Sequence, residues 1–441
     1  MNYDWRKAKL SDFMEIKHGY AFKGEYITSV PTEYIVLTPG NFKIGGGFNS
    51  SKFKYYEHDE FPSSYILNDN DLIVTMTDLS KDGDTLGYSA KVPASNGDIK
   101  YLHNQRIGLV KLKSEYISKD FLYWMMRTKN YHNYIVNTAT GTTVKHTSPS
   151  RILDYEVYFP CNIDQQKKIV NILSSIEEKI ELNKKINQTL ELIAQAIFKS
   201  WFVDFDPVHA KANAQSEDEY DAIAKELGIS REILDLFPSE FEESELGLIP
   251  KGWRPTKIEN YIEILDSKRV PLSKNEREKR KGNIPYYGAT SIMDYIDDFL
   301  FDEPLTLIGE DGSVVKEDGT PFTQYIWGKS WVNNHAHVLK AKKNLSTEGI
   351  YILFKDTNVS SYVTGAVQPK INQNNLKRIP ILEPSNHLYG EFSKFIDPLF
   401  SMVRIRTDET LQLCKLRDYL LPKLLSGEID VSNLNLEPEN D

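Results

Sequence analysis

Two histidines and one charged run are the residues that most resemble a catalytic site in this sequence. His335 and His337 lie two positions apart, and on a strand such a pair points to the same face, as metal ligands do. Neither a third ligand nor a nearby cysteine accompanies them, so the spacing does not predict a zinc or nuclease centre. Glu276-Arg277-Glu278-Lys279 contains a Glu-x-Lys nuclease fragment within a charge run, which is more typical of a solvated helix or a phosphate contact.

The glycine-rich segments do not fit the loops that bind nucleotides. Gly328-Lys329-Ser330 has Thr323 where a phosphate-binding loop requires its first glycine, and Gly45-Gly46-Gly47 lacks the third glycine of a dinucleotide fingerprint. The Asp/Asn-Pro-Pro-aromatic run that binds adenine in amino-methyltransferases is also absent from the sequence. We therefore expect no catalytic residue, no metal site and no cofactor in this chain.

Short polar side chains follow two Thr-Gly dipeptides, at Gly141 and at Gly365. Such side chains suit contacts with base edges and phosphates in DNA, and they are equally typical of a polar turn that leads into a strand. The candidate DNA contacts in these loops are Thr142, Thr143, Lys145 and His146 in the first, and Gln368, Lys370, Asn372, Gln373 and Asn374 in the second. Asn104-Gln105-Arg106 and Asn334-His335 occupy similar strand starts, where they either contact bases or close a turn.

The densest basic run of the chain supplies a second set of candidate DNA contacts. This run either clamps phosphates or forms a solvated face. Its candidate residues are Lys268, Arg269, Lys274, Arg277, Lys279 and Arg280.

The candidate loops belong to an internal repeat, which sets the architecture. Trp5–Ile16 aligns with Trp253–Ile264 at an offset of 248, and five of twelve positions are identical. Thr140–Pro160 aligns with Thr364–Pro384 at an offset of 224, and a helical segment repeats at an offset of 226. The shorter offset after the first match predicts an insertion of 24 residues in the first copy.

Two long helices follow the two copies of the repeat. Apolar residues spaced three and four apart predict a coiled-coil-like stripe on each, and the two stripes are expected to pair antiparallel as a rod. Asn183 and Asn187 either lie in this seam or face water. The predicted seam residues are Ile169, Leu173, Ile176, Ile180 and Leu190 in the first helix, and Leu399, Met402, Leu413, Leu416 and Leu420 in the second.

The predicted fold class is α+β, with two mixed α/β domains in a pseudo-twofold repeat joined by two long antiparallel helices. Short strands are expected at Tyr34–Leu37, Asp71–Met76, Ile107–Val110, Leu305–Gly309 and Ala336–Leu339. The predicted segments are a first domain (1–160), a central helix (161–202), an acidic connector (203–250), a second domain (251–384), a C-terminal helix (385–427) and a tail (428–441).

The net charge of −10 is concentrated outside the two domains. The connector holds 3 basic and 13 acidic residues, whereas residues 1–160 hold 19 and 18, and residues 251–384 hold 19 and 17. Each domain is thus compatible with a basic face for nucleic acid. The two cysteines, the absence of a signal peptide and the absence of a long apolar run are typical of a cytoplasmic protein without a membrane partner.

The whole arrangement resembles the specificity subunit of type I restriction-modification enzymes. The resemblance rests on two domains each followed by a long helix, on the junctions Ala196–Val208 and Ser244–Trp253, and on the segments Tyr286–Ile292 and Trp331–His337. It implies that each domain is a target-recognition domain that binds half of a split double-stranded DNA site.

The resemblance also implies partners and excludes chemistry in this chain. Two methyltransferase subunits and two ATP-dependent motor-nuclease subunits would dock on the chain, and S-adenosylmethionine, ATP and magnesium would be bound by those partners. Two other functions remain open from the residues: a stand-alone DNA-cleaving enzyme with an unrecognised site, and an assembly scaffold that binds no DNA.

Overall fold

The computed structural model describes residues 5–95, 97–214, 216–245, 247–365, 367–384 and 387–434. The chain divides into two compact units, one of Met1–Glu181 with Thr410–Asp441 and the other of Leu182–Glu409. Each unit contains sheets and helices, which confirms the predicted α+β class. Residues 435–441 of the predicted tail and Ser385 at the predicted start of the last helix lie outside the described residues.

Two sheets form the first domain, with strand orders β2-β11-β7-β9 and β3-β5-β4-β10-β6. In β7, Leu72 and Val74 lie in one core cluster and Ile73 in another. The strand is thus buried on both faces, which explains its continuous apolar run. The strands are β1 Trp5–Lys9, β2 Met14–His18, β3 Ile27–Thr28, β4 Tyr34–Val36, β5 Lys54–Tyr56, β6 Ile66–Leu67, β7 Leu72–Thr75, β8 Thr77–Asp78, β9 Ser89–Lys91, β10 Lys100–Leu102, β11 Ile107–Leu112, β12 Lys145–His146 and β13 Glu156–Pro160.

Three short helices cover the first sheet, and each begins at a hydroxyl residue. The side chains of Ser118, Thr128 and Ser148 accept the backbone N–H three positions on, which satisfies one otherwise free donor of each first turn. The helices are α1 Lys119–Met125, α2 Lys129–Thr138 and α3 Pro149–Leu153. The long helix α4 Ile163–Phe202 follows, close to its predicted bounds.

The connector packs on the second unit instead of forming an extended linker. Val208, Leu234 and Phe237 are buried in the same cluster as Trp253, which opens the second domain. The elements of the connector are α5 Asp206–Asn213, α6 Glu217–Glu226, α7 Arg231–Asp235, β14 Phe241–Ser244 and β15 Gly247–Pro250.

The second domain repeats the strand order of the first, with sheets β17-β24-β21-β22 and β19-β18-β23-β20. The parallel contact between β4 and β10 recurs between β18 and β23. The elements are β16 Arg254–Lys257, β17 Ile262–Ile264, α8 Lys274–Lys279, β18 Lys281–Tyr287, β19 Ile292–Ile296, β20 Phe301–Asp302, β21 Leu305–Gly309, β22 Thr323–Ile326, β23 Lys329–Val332, β24 Ala336–Ala341, α9 Thr347–Asp356, α10 Gln373–Lys377 and β25 Pro380–Glu383, followed by α11 Leu388–Leu425.

The register of the closing strand pair shows that the sequence repeat is structural. Arg6 pairs with Phe159 across β1 and β13, and Arg254 pairs with Glu383 across β16 and β25. These partners stand at the sequence offsets of 248 and 224, so the alignment is correct to the residue at both ends of the domain. Strand β3 has no counterpart among the described strands of the second domain, in line with the predicted insertion.

The long helices α4 and α11 run antiparallel within each unit. In the second unit Asn183 Nδ2 donates to Glu409 Oε2 (2.9 Å), and Asn187 Nδ2 donates to Thr407 Oγ1 (2.9 Å). In the first unit Arg417 Nη1 donates to Glu177 Oε2 (2.8 Å). Asn183 is fully buried, so this residue lies in the seam and hydrogen-bonds across it.

The buried stripe of α11 differs from the predicted one. Its first half buries Phe392, Ile396 and Phe400, whereas Met402 and Leu416 are 43% and 45% exposed and lie outside the buried stripe. The helix begins at Leu388 and continues through Pro398 and Pro422. Apolar residues occur on two faces of this helix, so spacing alone does not identify the buried face. Among the described helices, none has a stretch long and apolar enough to cross a membrane.

Candidate nucleic-acid interface

A tight hairpin follows the Thr-Gly dipeptide in the first domain. Thr140 and His146 exchange two backbone hydrogen bonds, of 2.9 and 2.8 Å, which close the loop between them. Gly141 has φ +95°, and a Cβ there would lie 1.9 Å from a carbonyl oxygen of the same loop. Glycine is therefore required at this position. The hairpin exposes the side chains of Thr142 and Thr143.

The second domain builds the same hairpin from a different sequence. Thr364 and Lys370 exchange two backbone hydrogen bonds of 2.8 Å. Gly365 has φ +90°, and a Cβ there would lie 2.4 Å from a carbonyl oxygen of the loop. Val367 and Gln368 are exposed near the tip. The backbone frame is thus common to both domains, and the exposed side chains differ.

Backbone hydrogen bonds place each hairpin beside the polar turn that precedes the neighbouring strand. In the first domain the Met76 N–H donates to the Arg106 carbonyl (2.9 Å), and the Met76 carbonyl accepts from the Thr147 N–H (3.0 Å). Glu310 holds the equivalent position in the second domain. Its N–H donates to the His335 carbonyl (2.8 Å), and its carbonyl accepts from the Ile371 N–H (3.0 Å). The Thr-Gly loop and the polar turn, separate candidates in the sequence, therefore lie on either side of one strand end.

A buried histidine supports the second hairpin from below. His337 is fully buried; its Nδ1 lies 2.6 Å from Asp266 Oδ2, and its Nε2 lies 2.8 Å from the Ile371 carbonyl oxygen. A carbonyl oxygen and a carboxylate oxygen both accept hydrogen bonds, so each ring nitrogen faces an acceptor. The imidazole thus links β24 to the segment that follows the hairpin.

Three of the predicted DNA contacts reach carboxylates of this cluster, although Lys370 and Gln373 are themselves exposed. Arg269 Nη1 donates to Glu310 Oε2 (2.7 Å), and Arg269 Nη2 lies 3.3 Å from Asp266 Oδ2. Gln373 Nε2 donates to Asp266 Oδ2 (2.7 Å), and Lys370 Nζ lies 3.1 Å from Glu310 Oε1. These contacts engage the three side chains with carboxylates of the domain itself.

The carboxylates and the histidine have the spacing of a metal site but act as an ion cluster. One donor atom from each of Asp266, Glu310 and His337 lies within 4.8 Å of the others. The Arg269 guanidinium contacts both carboxylates and supplies the positive charge that a cation would bring. Burial alone would raise the pKa of Asp266, yet the hydrogen bonds from His337 and the Val338 N–H, with the charge on Arg269, hold that pKa below its ordinary value.

His335 does not join His337 in a common site. It precedes β24, its side chain is about half exposed, and its Nδ1 contacts Asp311. The two histidines are therefore not a ligand pair, contrary to the simple expectation for alternate positions on one strand.

The first domain has other residues at the three network positions. His18, Gly108 and Met76 occupy the places of Asp266, His337 and Glu310 in the strand registers. His18 is exposed and Met76 is 3% exposed. A Cβ on Gly108 would lie 2.4 Å from Ile16 Cγ2, so this position has no room for a histidine.

A family profile matches most of the chain and identifies its sequence family. The profile of the family described as "Type I restriction modification DNA specificity domain" matches residues 2–192 and 250–413. The chain belongs to this family. Both matched segments include a Thr-Gly hairpin and its polar turn, so the candidate interface lies within the two specificity domains.

Related specificity subunits cover most of the chain. The type I restriction enzyme HindI specificity subunit of Haemophilus influenzae is 26% identical over 385 residues, which is 75% of this chain and 81% of that protein. The MjaIX specificity subunit of Methanocaldococcus jannaschii is 24% identical over 336 residues, 72% of this chain and 71% of its own. The crystal structure of a type I restriction-modification S subunit from M. genitalium has a TM-score of 0.55 at 18% identity and 96% coverage of both chains, which shows a shared fold.

The basic run of the second specificity domain divides into engaged arginines and exposed lysines. Arg277 Nε lies 3.2 Å from Asp294 Oδ2, and Arg280 contacts both Asp297 and Asp298 at 3.0 and 3.1 Å. The lysines of the run are exposed: Lys268, Lys274 and Lys279. The arginines therefore hold α8 against the domain, and the lysines extend into solvent.

The remaining candidate residues of the specificity domains lie on or near the two hairpins. His146 Nδ1 lies 3.1 Å from Thr77 Oγ1, and Lys145 is half-buried in β12. Asn372 caps α10 by accepting the Asn375 N–H (2.9 Å), and Asn374 is exposed.

Sequence reasoning missed the acidic members of the network and the apolar hairpin tip. Asp266 and Glu310 were missed because a search for DNA contacts selects basic and amide side chains. Val367 was missed because it is apolar, although the repeat alignment places it opposite Thr143, which was a candidate.

Proposed function

We propose that this specificity subunit binds a bipartite, asymmetric DNA site, one half-site for each target-recognition domain. The observation that carries the proposal is that two domains share one backbone frame and differ in the side chains on it. Thr143 of the first hairpin is equivalent to Val367 of the second, and His146 of the first is equivalent to Lys370 of the second. Different side chains on one frame select different base edges, so the two half-sites differ.

The exposed candidates divide by chemistry into base and phosphate contacts. Threonines and amides suit base edges, whereas lysines suit phosphates. We assign base contacts to the hairpin residues and phosphate contacts to the exposed lysines of the basic run. The arginines, Lys370 and Gln373 have internal carboxylate or carbonyl partners, and their assigned role is to position the others.

The assembly would supply all the chemistry. Two methyltransferase subunits with S-adenosylmethionine would take flipped adenines from the bound site, and two motor-nuclease subunits would bring ATP and magnesium. Exposed apolar residues on the long helices support docking of such partners, because large exposed apolar side chains mark interaction surfaces. They are Leu182, Leu192, Ile193, Met402 and Ile405 in the second unit, and Leu411, Leu416 and Tyr419 in the first.

Methylation mapping tests the proposal directly. The chain is expressed with its methyltransferase subunit in a host that lacks other adenine methylation, and the genome is sequenced for N6-methyladenine. We expect one split motif with two different halves and a fixed gap. A soluble complex that methylates no motif would contradict the proposal and favour a protein-binding scaffold. DNA cleavage by the purified chain with magnesium would favour the nuclease alternative.

A helix insertion tests the assignment of one half-site to each domain. Four residues inserted in both helices, after Glu181 and after Glu409, add about 6 Å of helix. We expect a gap longer by about two base pairs, since consecutive pairs are about 3.4 Å apart, and unchanged half-sites. Four alanine substitutions at exposed helix positions are the matched control and leave the gap unchanged.

A further inference from the structure

Val367 stands out because its side chain is almost wholly in water. It is 99% exposed, and the next most exposed large apolar residue among the described ones is Ile44 at 75%. A single exposed apolar residue needs no explanation in general. Here it lies near the tip of a hairpin and directly precedes the candidate DNA contact Gln368, so its position calls for one.

The returning arm of the hairpin that bears Val367 is bonded to the domain. Thr364 and Lys370 close the hairpin by two backbone hydrogen bonds, and the Gly312 N–H donates to the Pro369 carbonyl (3.0 Å). The Ile371 N–H, one residue further, donates to the Glu310 carbonyl (3.0 Å). The arm that follows Val367 is thus fixed to the domain, while Ala366 before it lies outside the described residues.

The repeat places a side chain of the same shape in the first domain. Thr143 aligns with Val367 at the offset of 224 and is also exposed. Threonine and valine differ by a hydroxyl in place of one methyl group. The two side chains therefore have similar volumes, but the side chain of Val367 cannot form a hydrogen bond.

The chemistry of valine selects its ligand among the groups that DNA presents. Three of the four bases present only hydrogen-bonding groups in the major groove, and thymine adds a C5-methyl group. We infer that Val367 selects a thymine in the second half-site through contact with this methyl group. This inference rests on the proposed DNA-binding function and adds the base that one named residue recognises.

Deoxyuridine substitution is the test, because it removes only the methyl group. The full chain in complex with its methyltransferase subunits is titrated with oligonucleotides of the mapped site, each with one thymine of either strand replaced. We expect one substitution in the second half-site to weaken binding about fourfold, the loss that corresponds to one buried methyl group. In V367A the same substitution should change binding less than 1.5-fold.

The control is the equivalent change in the first hairpin. T143A should leave the deoxyuridine effect in the second half-site at its wild-type size. The inference is overturned if no thymine of the second half-site is sensitive, if V367A weakens binding to all DNA equally, or if V367A prevents assembly with the methyltransferase. In each of these cases a mapped split motif would still support the proposed function, whereas the absence of any motif would count against that function itself.

Discussion

The two recognition domains support the same hairpin in different ways. Beneath the second hairpin lies a cluster of ionisable groups: Asp266, Glu310, His337 and Arg269. The first domain has Met76 and Gly108 at two of the equivalent positions and an exposed histidine at the third. The backbone hydrogen bonds above these positions are the same. The main-chain hydrogen bonds of the two hairpins are therefore shared, whereas the side chains packed beneath the hairpins differ between the domains.

A second pair of equivalent positions repeats the contrast. Phe13 and Phe159 pack edge to face in the first domain, with ring centroids 4.9 Å apart. Their counterparts are Tyr261 and Glu383, which form a hydrogen bond between the hydroxyl and the carboxylate. At this position the first domain has an apolar contact, whereas the second has a half-buried carboxylate. An ion pair also spans the strands of the first domain, between Lys7 and Glu156, but both side chains are exposed. The second domain should therefore depend more on charge and pH.

Removing the central carboxylate of the cluster should give the largest difference between the domains. D266A removes the carboxylate that both His337 and Arg269 contact and leaves Glu310 beside them. Because Glu310 partly replaces the lost charge, the destabilisation should be at most the ~3–5 kcal/mol of a broken buried pair. We expect faster hydrogen exchange throughout the second domain, with the first domain unchanged. H18A, the equivalent change at an exposed position, should stay within ~0.5 kcal/mol of wild type. Equal destabilisation by D266A and H18A would contradict the difference between the two domains.

Acid should weaken the closing strand pair of the second domain more than that of the first, whose Lys7–Glu156 ion pair is exposed and contributes little. Burial opposes ionisation, but hydrogen bonds from Tyr261, Arg254 and Lys343 lower the pKa of Glu383 to about 2. The stabilisation is thus complete above the ordinary glutamate pKa and is lost as the pH falls from about 4.5 towards 2, at most ~3 kcal/mol.

Hydrogen exchange of the strand amides at pH 3 and pH 6 measures this effect. Protection of β16 and β25 should fall at the lower pH, after correction for intrinsic exchange, whereas β1 and β13 should lose much less. E383Q removes the titrating group and should abolish the pH dependence. A loss of protection in both strand pairs alike would mean that another group controls acid sensitivity.

The smallest expected effect separates the lysines from the arginines of the basic run. K274A should lower the slope of log affinity against log salt by about 1 and leave the methylated motif unchanged, as expected for one phosphate contact. R277A removes a side chain held by Asp294 and should destabilise the second domain, with little change in slope. If R277A changes the slope and K274A does not, the assignment of the two residue types is reversed.

The sequence predicted the frame far better than the interface. The repeat offsets gave the register of β1 with β13 and of β16 with β25, because strand pairing at the domain ends preserves spacing. Of the predicted stripes, Ile169 and Leu173 of α4 are buried, whereas Met402 of α11 is exposed. Both helices also have exposed apolar residues, such as Leu192 and Ile405, so spacing alone does not identify the buried face.

The network beneath the second hairpin was beyond prediction from spacing. Asp266, Glu310 and His337 are far apart in the chain, and only the sheet order brings their side chains within reach of one another. Arg269 looked like a phosphate contact because its internal partners are invisible in a linear sequence. Whether the hairpin side chains contact bases stays a prediction.

The closing bonds of the two Thr-Gly hairpins have a consequence for how such a protein changes over generations. They join main-chain atoms, and among the described hairpin residues the glycine is the one with a positive φ. A codon change at an exposed tip position therefore alters the exposed surface of the hairpin at almost no cost in folding stability. Under the proposed function, new target preferences become accessible by single steps, each through a protein that still folds.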